Sequence, residues 1–344
     1  MSSSFHSLLD SGKLHKDTPM NNRIIDLMQA PSERRDVDWL MESLQAAIEL
    51  EFATVPVYLC GMWSIETQGG PAFDTIRSVV IDEMFHMALV CNMLTTIGGT
   101  PRINTEDARP KFPGHLPGGV RPGVRVVLTG LTKNVVEKMY MEIEFPEKGP
   151  IALFLAEVFP TIGDFYDAVL DAFRKLSASE ITGGRQIVRG SRLFAINTLA
   201  DAEKAIGRIK RQGEGTEQVE SPFSDDAGTV LAHYYKFGEI FHERKLIKTA
   251  EGKFKFLGDS LPFPKVLPMA EVPAGGYPES HDFNLQFTTM LNQLQAAWQT
   301  GNLHELENAI ETMTNGLADA ARVLMVKPLP SGEGNFGPSF QLAS

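Results

Sequence analysis

The strongest constraint on how this chain can fold is a pair of long helical patterns separated by one short Gly-rich break. Leu44, Ile48, Glu51, Val55 and Leu59 recur at steps of three and four, which is the period of one helix face. This pattern starts near Asp36 and runs out near Thr67–Gly70. The second opens on Pro71, which suits a first helical turn because it has no N–H to leave unpaired. Ile76, Val79, Val80, Glu83, His86, Met87, Val90 and Leu94 share its inner face, and Gly98-Gly99 and Pro101 close it. Each helix has about 25 residues, roughly 40 Å in length. So short a link makes them antiparallel neighbours. Pro56 removes one amide and frees the Phe52 carbonyl, so a kink is expected just after Glu51.

Both patterns carry charge on their oily faces. Residues three apart on a helix point the same way, so Glu83 and His86 can reach one metal ion together. Glu51 lies on the apolar face of the first helix, where an unpaired carboxylate would be very costly. Its neighbour Glu49 points away and is expected to face solvent. In a hairpin turning at Gly69-Gly70, Glu51 and Glu83 fall at comparable depth, to within about one turn. Glu-x-x-His on one helix with lone Glu residues on partner helices is the pattern of two-metal carboxylate sites in four-helix bundles.

The second half of such a site is less sharply defined. Glu239-Ile-Phe-His242 has the same spacing. However, Val230, Phe237, Ile240 and Phe241 mark the buried stripe there, with His233 inside it. Glu239 and His242 fall on the other side, where Lys236 is available to pair Glu239. His233 is therefore the expected inward ligand. The residue that would complete Glu-x-x-His before it is Val230, which binds no metal. Glu144, Glu147, Asp164 and Glu214 are the candidate carboxylates, and spacing does not choose among them.

Composition narrows the classes. The 344 residues carry a net charge of −11, against a nucleic-acid binder, which needs a basic surface. Cys60 and Cys91 sit in apolar helical pattern and are expected to be buried thiols in a reducing, cytoplasmic setting. No basic start followed by an apolar run opens the sequence, and no stretch of about 18 apolar residues points to a membrane. Met84, Met87 and Met93 are expected core filler. Gly213-Glu-Gly215 follows no strand and is no phosphate loop.

The expected organisation is a loose arm over 1–35, a helical core with insertions over 36–250, and a helical extension packed on it over 251–344. Helices are expected at Thr132–Phe145, Thr161–Leu176, Thr198–Gln212, Gly228–Ile247, His281–Gln299 and Leu303–Val326. Between them, the Pro/Gly-rich 101–130, with Val124–Leu128 extended, and 250–280 are expected to wall off a pocket. Strands do not alternate with helices, so a doubly wound sheet is not expected.

The segments LQAAIELEFATVPVYL (44–59), IDEMFHMALVCNMLTTIGG (81–99), EIEFPE (142–147), TIGDFY (161–166), AIGRIKRQGEGT (205–216) and LAHYYKFGEI (231–240) resemble a ferritin-like family. That family includes the C-terminal part of iminophenyl-pyruvate dimer synthases, which act in bisindole pigment and indolocarbazole pathways. The later VLPMAEVPAGGY and FGPSF segments are similar too, so the resemblance spans roughly 35–340. Those enzymes also carry a haem-catalase-like portion, and this sequence resembles only their ferritin-like part.

The resemblance implies a mainly α fold: a ferritin-like four-helix bundle with long Pro/Gly-rich insertions and additional C-terminal helices. It implies one or two iron ions, with manganese as the alternative. Carried over residue by residue, it implies Glu51, Glu83, His86, Glu144, Glu214 and His233 as ligands. The expected activity is a non-haem iron oxidoreductase acting on an aromatic or amino-acid-derived small molecule in secondary metabolism. The expected partner is that small molecule, with no nucleic acid and no membrane, and the protein a monomer or small homo-oligomer. The alternative is an iron-handling protein without a catalytic role.

Overall fold

The computed structural model describes residues 22–146, 161–214, 221–225 and 227–343, with the Glu214 side chain outside that set. α1 (Arg23–Met28) lies in the stretch expected as a loose arm. It is latched to the core: Trp39 Nε1 donates to the Leu27 carbonyl at 2.9 Å, and Arg23 pairs with Glu49 at 2.8 Å. That pairing corrects the expectation that Glu49 faces solvent, because α1 covers it and supplies its counter-charge.

α2 (Val37–Ser64) starts where Asp36 accepts a hydrogen bond from the Trp39 amide at 3.0 Å, an N-cap. It forms one unbroken helix through Pro56. Every residue from Ser43 to Ser64 is buried, so over that stretch α2 has no solvent face and is the central rod of the molecule. α3 (Pro71–Thr96) returns antiparallel against it. Gly70 (φ 89°) before it and Gly98 (φ 88°) after it take the left-handed backbone that turns there demand. By length and composition α3 is apolar enough to cross a membrane, an exception to the sequence expectation, yet most of that stretch is buried among the other helices.

α4 follows the long connection. It runs from Lys133–Val135 through a π-helical Val136–Tyr140 to Met141–Ile143, with Thr132 capping its start at 3.1 Å. α5 (Ile162–Phe173) opens on a Thr161/Asp164 capping box. α6 (Leu199–Glu214) packs on α5 and α3. α7 (His233–His242) packs on α3 and α4, so that α2, α3, α4 and α7 make a four-helix core.

The helix expected over Gly228–Ile247 is shorter than that. It stops at Glu243, which adopts a left-handed φ of 55°. The chain then forms a hairpin of β1 (Arg244–Lys248) and antiparallel β2 (Phe254–Ser260). α8 (His281–Thr300) and α9 follow. α9 continues from Leu303–Glu311 through a π-helical Thr312–Leu317 to Ala318–Met325. α8 contacts α3, and the last part of α9 contacts α2, on the side of the hairpin away from α4 and α7.

The Pro/Gly-rich segments do different work from each other. Among the described residues, Val124–Leu128 makes one bridge, Gly114 to Val126. The 250–280 segment runs along the end of α2, where the Leu267 amide donates to the Ser64 carbonyl at 2.7 Å.

Candidate metal centre

Four helices converge on one buried cluster. α2 brings Glu51, α3 brings Glu83 and His86, the end of α4 brings Glu144, and the first turn of α7 brings His233. All five side chains are buried, His233 completely. Two trios are spaced to hold a cation: Glu51, Glu83 and His86, and Glu83, Glu144 and His233, with the donor atoms of each within 4.8 Å of one another. Glu83 belongs to both.

The imidazoles turn the same nitrogen inward. His86 Nδ1 is 3.5 Å from both Glu51 Oε2 and Glu83 Oε1. His233 Nδ1 is 3.0 Å from Glu83 Oε1 and 3.4 Å from Glu144 Oε2. The two rings lie nearly parallel, 5.8 Å apart. Their outer nitrogens are engaged: His86 Nε2 with the Gln212 side-chain oxygen at 2.9 Å, and His233 Nε2 with Asp82 Oδ2 at 3.3 Å. An Nε2–H donated outward leaves a lone pair on Nδ1 pointing in, the tautomer a metal ligand needs.

The carboxylates are held as firmly. Thr54 donates to Glu83 Oε2 at 2.9 Å, Tyr58 to Glu144 Oε1 at 2.6 Å, and Tyr166 to Glu51. Asp82 also takes Lys236 at 3.0 Å and Arg192. Burial alone would raise the Asp82 pKa. The His233 hydrogen bond and charge, together with Lys236, drive it far below the usual carboxylate range. Glu83 is held down at about 2: burial opposes this, but the His233 and His86 imidazoles beside it outweigh it. Glu51 moves the other way, pushed up by burial despite His86. His86 is raised to about 10, because its hydrogen bonds to Glu51 and Glu83 and their charges overcome desolvation. Without a cation, protons on imidazole balance the carboxylates.

The donor set fits a metal on a second observation as well. His233 Nδ1 is fully buried, faces carboxylate oxygens of Glu83 and Glu144 at 3.0 and 3.4 Å, and makes no well-aligned hydrogen bond among the described residues. Buried polar atoms are rarely left so, and a cation coordinated there would satisfy it. Three carboxylates and two neutral imidazoles suit iron or manganese.

The remaining candidates lie elsewhere. The Glu214 side chain and Glu147 lie outside the described residues, although Gly213 borders the pocket beside Glu144. Asp164 is exposed and is spent on its capping box. Val230 precedes α7 and is 42% exposed. Glu239 is buried but is bound by Lys245 at 2.7 Å and the Leu246 amide at 2.9 Å, anchoring the hairpin. Lys236, expected to pair Glu239, pairs Asp82 instead, because α7 turns it toward α3. His242 is exposed and stacks on Phe256 at 4.4 Å.

Asp82, Gln212, Tyr58, Tyr166 and Thr54 went unnoticed in the sequence. Asp82 and Tyr58 had a signal: one precedes Glu83 directly, and the other follows Glu51 by two helical turns on the same face.

A pocket of about 60 Å³ opens beside the cluster, walled by Leu50, Leu116, Ile143, Ile162 and Ile209 with Arg121 and Lys210. Arg121 bonds the Phe145 carbonyl, and Lys210 pairs with Asp167 at 2.5 Å. The 101–130 connection contributes Leu116 and Arg121 to this wall, and no described residue of 250–280 lines it.

A family model described as ferritin-like matches residues 44–242, which contain all five residues of the cluster. A solved structure of a ferritin-like protein from Caulobacter vibrioides is similar in fold, with a TM-score of 0.61 at 20% identity, covering 88% of this chain and 97% of that one. No curated protein matches.

Proposed function

This chain belongs to the ferritin-like family, and from that premise we propose that it is a non-haem iron-dependent oxidoreductase with its metal in the Glu51/Glu83/His86/Glu144/His233 cluster. The observation that carries this reading is Glu83, shared by two trios whose histidines both turn Nδ1 inward. The reading takes one or two iron ions, with manganese as the alternative metal. Bound iron would supply electrons and open coordination positions for O₂.

The chain's own residues do the rest. Tyr58, Tyr166 and Thr54 fix the carboxylates, while Asp82 and Gln212 fix the imidazoles. The isoleucines and leucines of the pocket wall exclude bulk water, which strengthens electrostatic interactions inside. The sequence segments that resemble those of iminophenyl-pyruvate dimer synthases support an aromatic or amino-acid-derived substrate in secondary metabolism. Two unpaired buried thiols suit a reducing compartment such as the cytoplasm.

Anaerobic loading with Fe(II) followed by O₂ tests this. The expected result is an absorption change in the native protein that the Glu83→Ala/His86→Ala double variant lacks. Equal iron affinity in that variant overturns the reading.

The pocket volume favours a second reading, iron handling without an organic substrate, since about 60 Å³ admits an ion or O₂ more readily than an aromatic ring. Size-exclusion chromatography separates the two: a monomer or small oligomer goes with the enzyme, a cage-sized particle with storage.

A further inference from the structure

A second, much larger chamber lies on the other side of the α2–α3 hairpin, between it and α8 and α9. Its volume is about 630 Å³, within the range of roughly 300–1,000 Å³ typical of small-molecule sites. Phe52, Leu59, Trp63, Met84, Trp298 and Met313 make its walls apolar. Methionines and aromatic rings adapt to irregular apolar shapes. The π-helical turn Thr312–Leu317 forms part of the wall, and such turns recur at functional sites.

Charge sets the orientation. In a chain of net charge −11, the lining holds Arg77 and Arg189 and, among the described residues, no acidic one. Both arginines are exposed, and neither is ion-paired among the described residues. A greasy chamber with two unpaired guanidinium groups at its edge matches a ligand with an apolar body and one anionic end. Guanidinium binds carboxylate in a bidentate fork.

We propose that this chamber binds a monoanionic carboxylate amphiphile, its apolar body against α2, α3, α8 and α9 and its carboxylate between Arg77 and Arg189. The site is separate from the carboxylate–imidazole cluster. Phe52 and Met84 face it, while their neighbours Glu51 and Glu83 face the cluster.

Trp63 and Trp298 in the wall provide the readout. Titrating the full chain with 9,10-dibromostearate, a heavy-atom quencher, should give saturable quenching at one site, with 1-pyrenebutyrate as the aromatic counterpart. Saturation by either acid supports the proposal and shows whether aliphatic or aromatic bodies are preferred. The Arg77→Gln/Arg189→Gln double variant, altered only at the surface, should bind the acid at least about tenfold more weakly, the factor carried by a charge-assisted contact. Its affinity for dibromostearyl alcohol should be unchanged. The Glu83→Ala variant should bind the acid as the native protein does. Quenching that never saturates, equal affinity for acid and alcohol in the native protein, or loss of binding with Glu83→Ala would each overturn the proposal.

Discussion

Glu83 Oε1 lies 3.0 Å from His233 Nδ1 and 3.5 Å from His86 Nδ1, so one carboxylate on α3 stands between imidazoles from two different helices. This makes the two halves of the cluster unequal in what they can lose.

Removing the shared ligand should empty both halves. Glu83→Ala is expected to bind no iron, whereas Glu51→Ala and Glu144→Ala should each keep the ion of the other trio. Elemental analysis of protein loaded with iron checks this, and a Glu83→Ala protein retaining one full equivalent contradicts it.

Loading should expel protons. Against the pull of burial, the hydrogen bonds of His86 to Glu51 and Glu83 raise it to about 10, and Glu144 and Asp82 raise His233. A proton held on Nδ1 must leave before that nitrogen can coordinate, so metal loading should release protons. Calorimetry in buffers of different ionisation enthalpy measures their number.

Without metal, stability should fall on the alkaline side. The folded pKa of His86, about 10, lies above its ordinary value of 6.5. Its contribution is fully present below 6.5 and is lost as pH rises through 10. Thermal unfolding of metal-free protein should therefore show Tm decreasing between pH 7 and 9. The metal-loaded protein should show a flatter profile, because the cation takes the place of the proton.

Asp82 acts on the metal through His233. Asp82→Asn keeps the shape but weakens the partner that fixes the ring, so metal affinity should fall about 10- to 100-fold. Stoichiometry should be unchanged. Competition with a chelator of known affinity gives the ratio.

Gly61 is set by Tyr140. A Cβ there would lie 2.1 Å from the Tyr140 hydroxyl, which is fully buried and donates to the Val57 carbonyl at 2.9 Å. Gly61→Ala should destabilise the protein by about 1–3 kcal/mol, as overpacking does. Urea denaturation should show a lower midpoint with an unchanged slope.

The hairpin and its half of the cluster were legible because the apolar period and the charged exceptions to it occur on the same residues. Glu51, Glu83 and His86 stood out as ionisable groups where only hydrocarbon was expected. His233 was legible for the same reason, since it sits in the stripe with Phe237 and Ile240. The rest depended on contacts between distant segments. Glu49 looked solvent-facing because nothing local reveals that α1 folds back to cover it. Glu239 and Lys236 were mispaired because the partner of Glu239, Lys245, lies in a hairpin that the periodicity read as more helix. The π-helical turns in α4 and α9 leave no mark in a pattern of threes and fours. The large chamber was hidden altogether, since its walls come from both ends of the sequence.

The burial of α2 on every side has a last implication. A surface helix has one tolerant face, where many replacements pass unnoticed. Between Ser43 and Ser64 there is none, because every position is buried. Saturation mutagenesis across the gene should therefore find its longest run of intolerance there, without the usual every-third-or-fourth rhythm of permitted change.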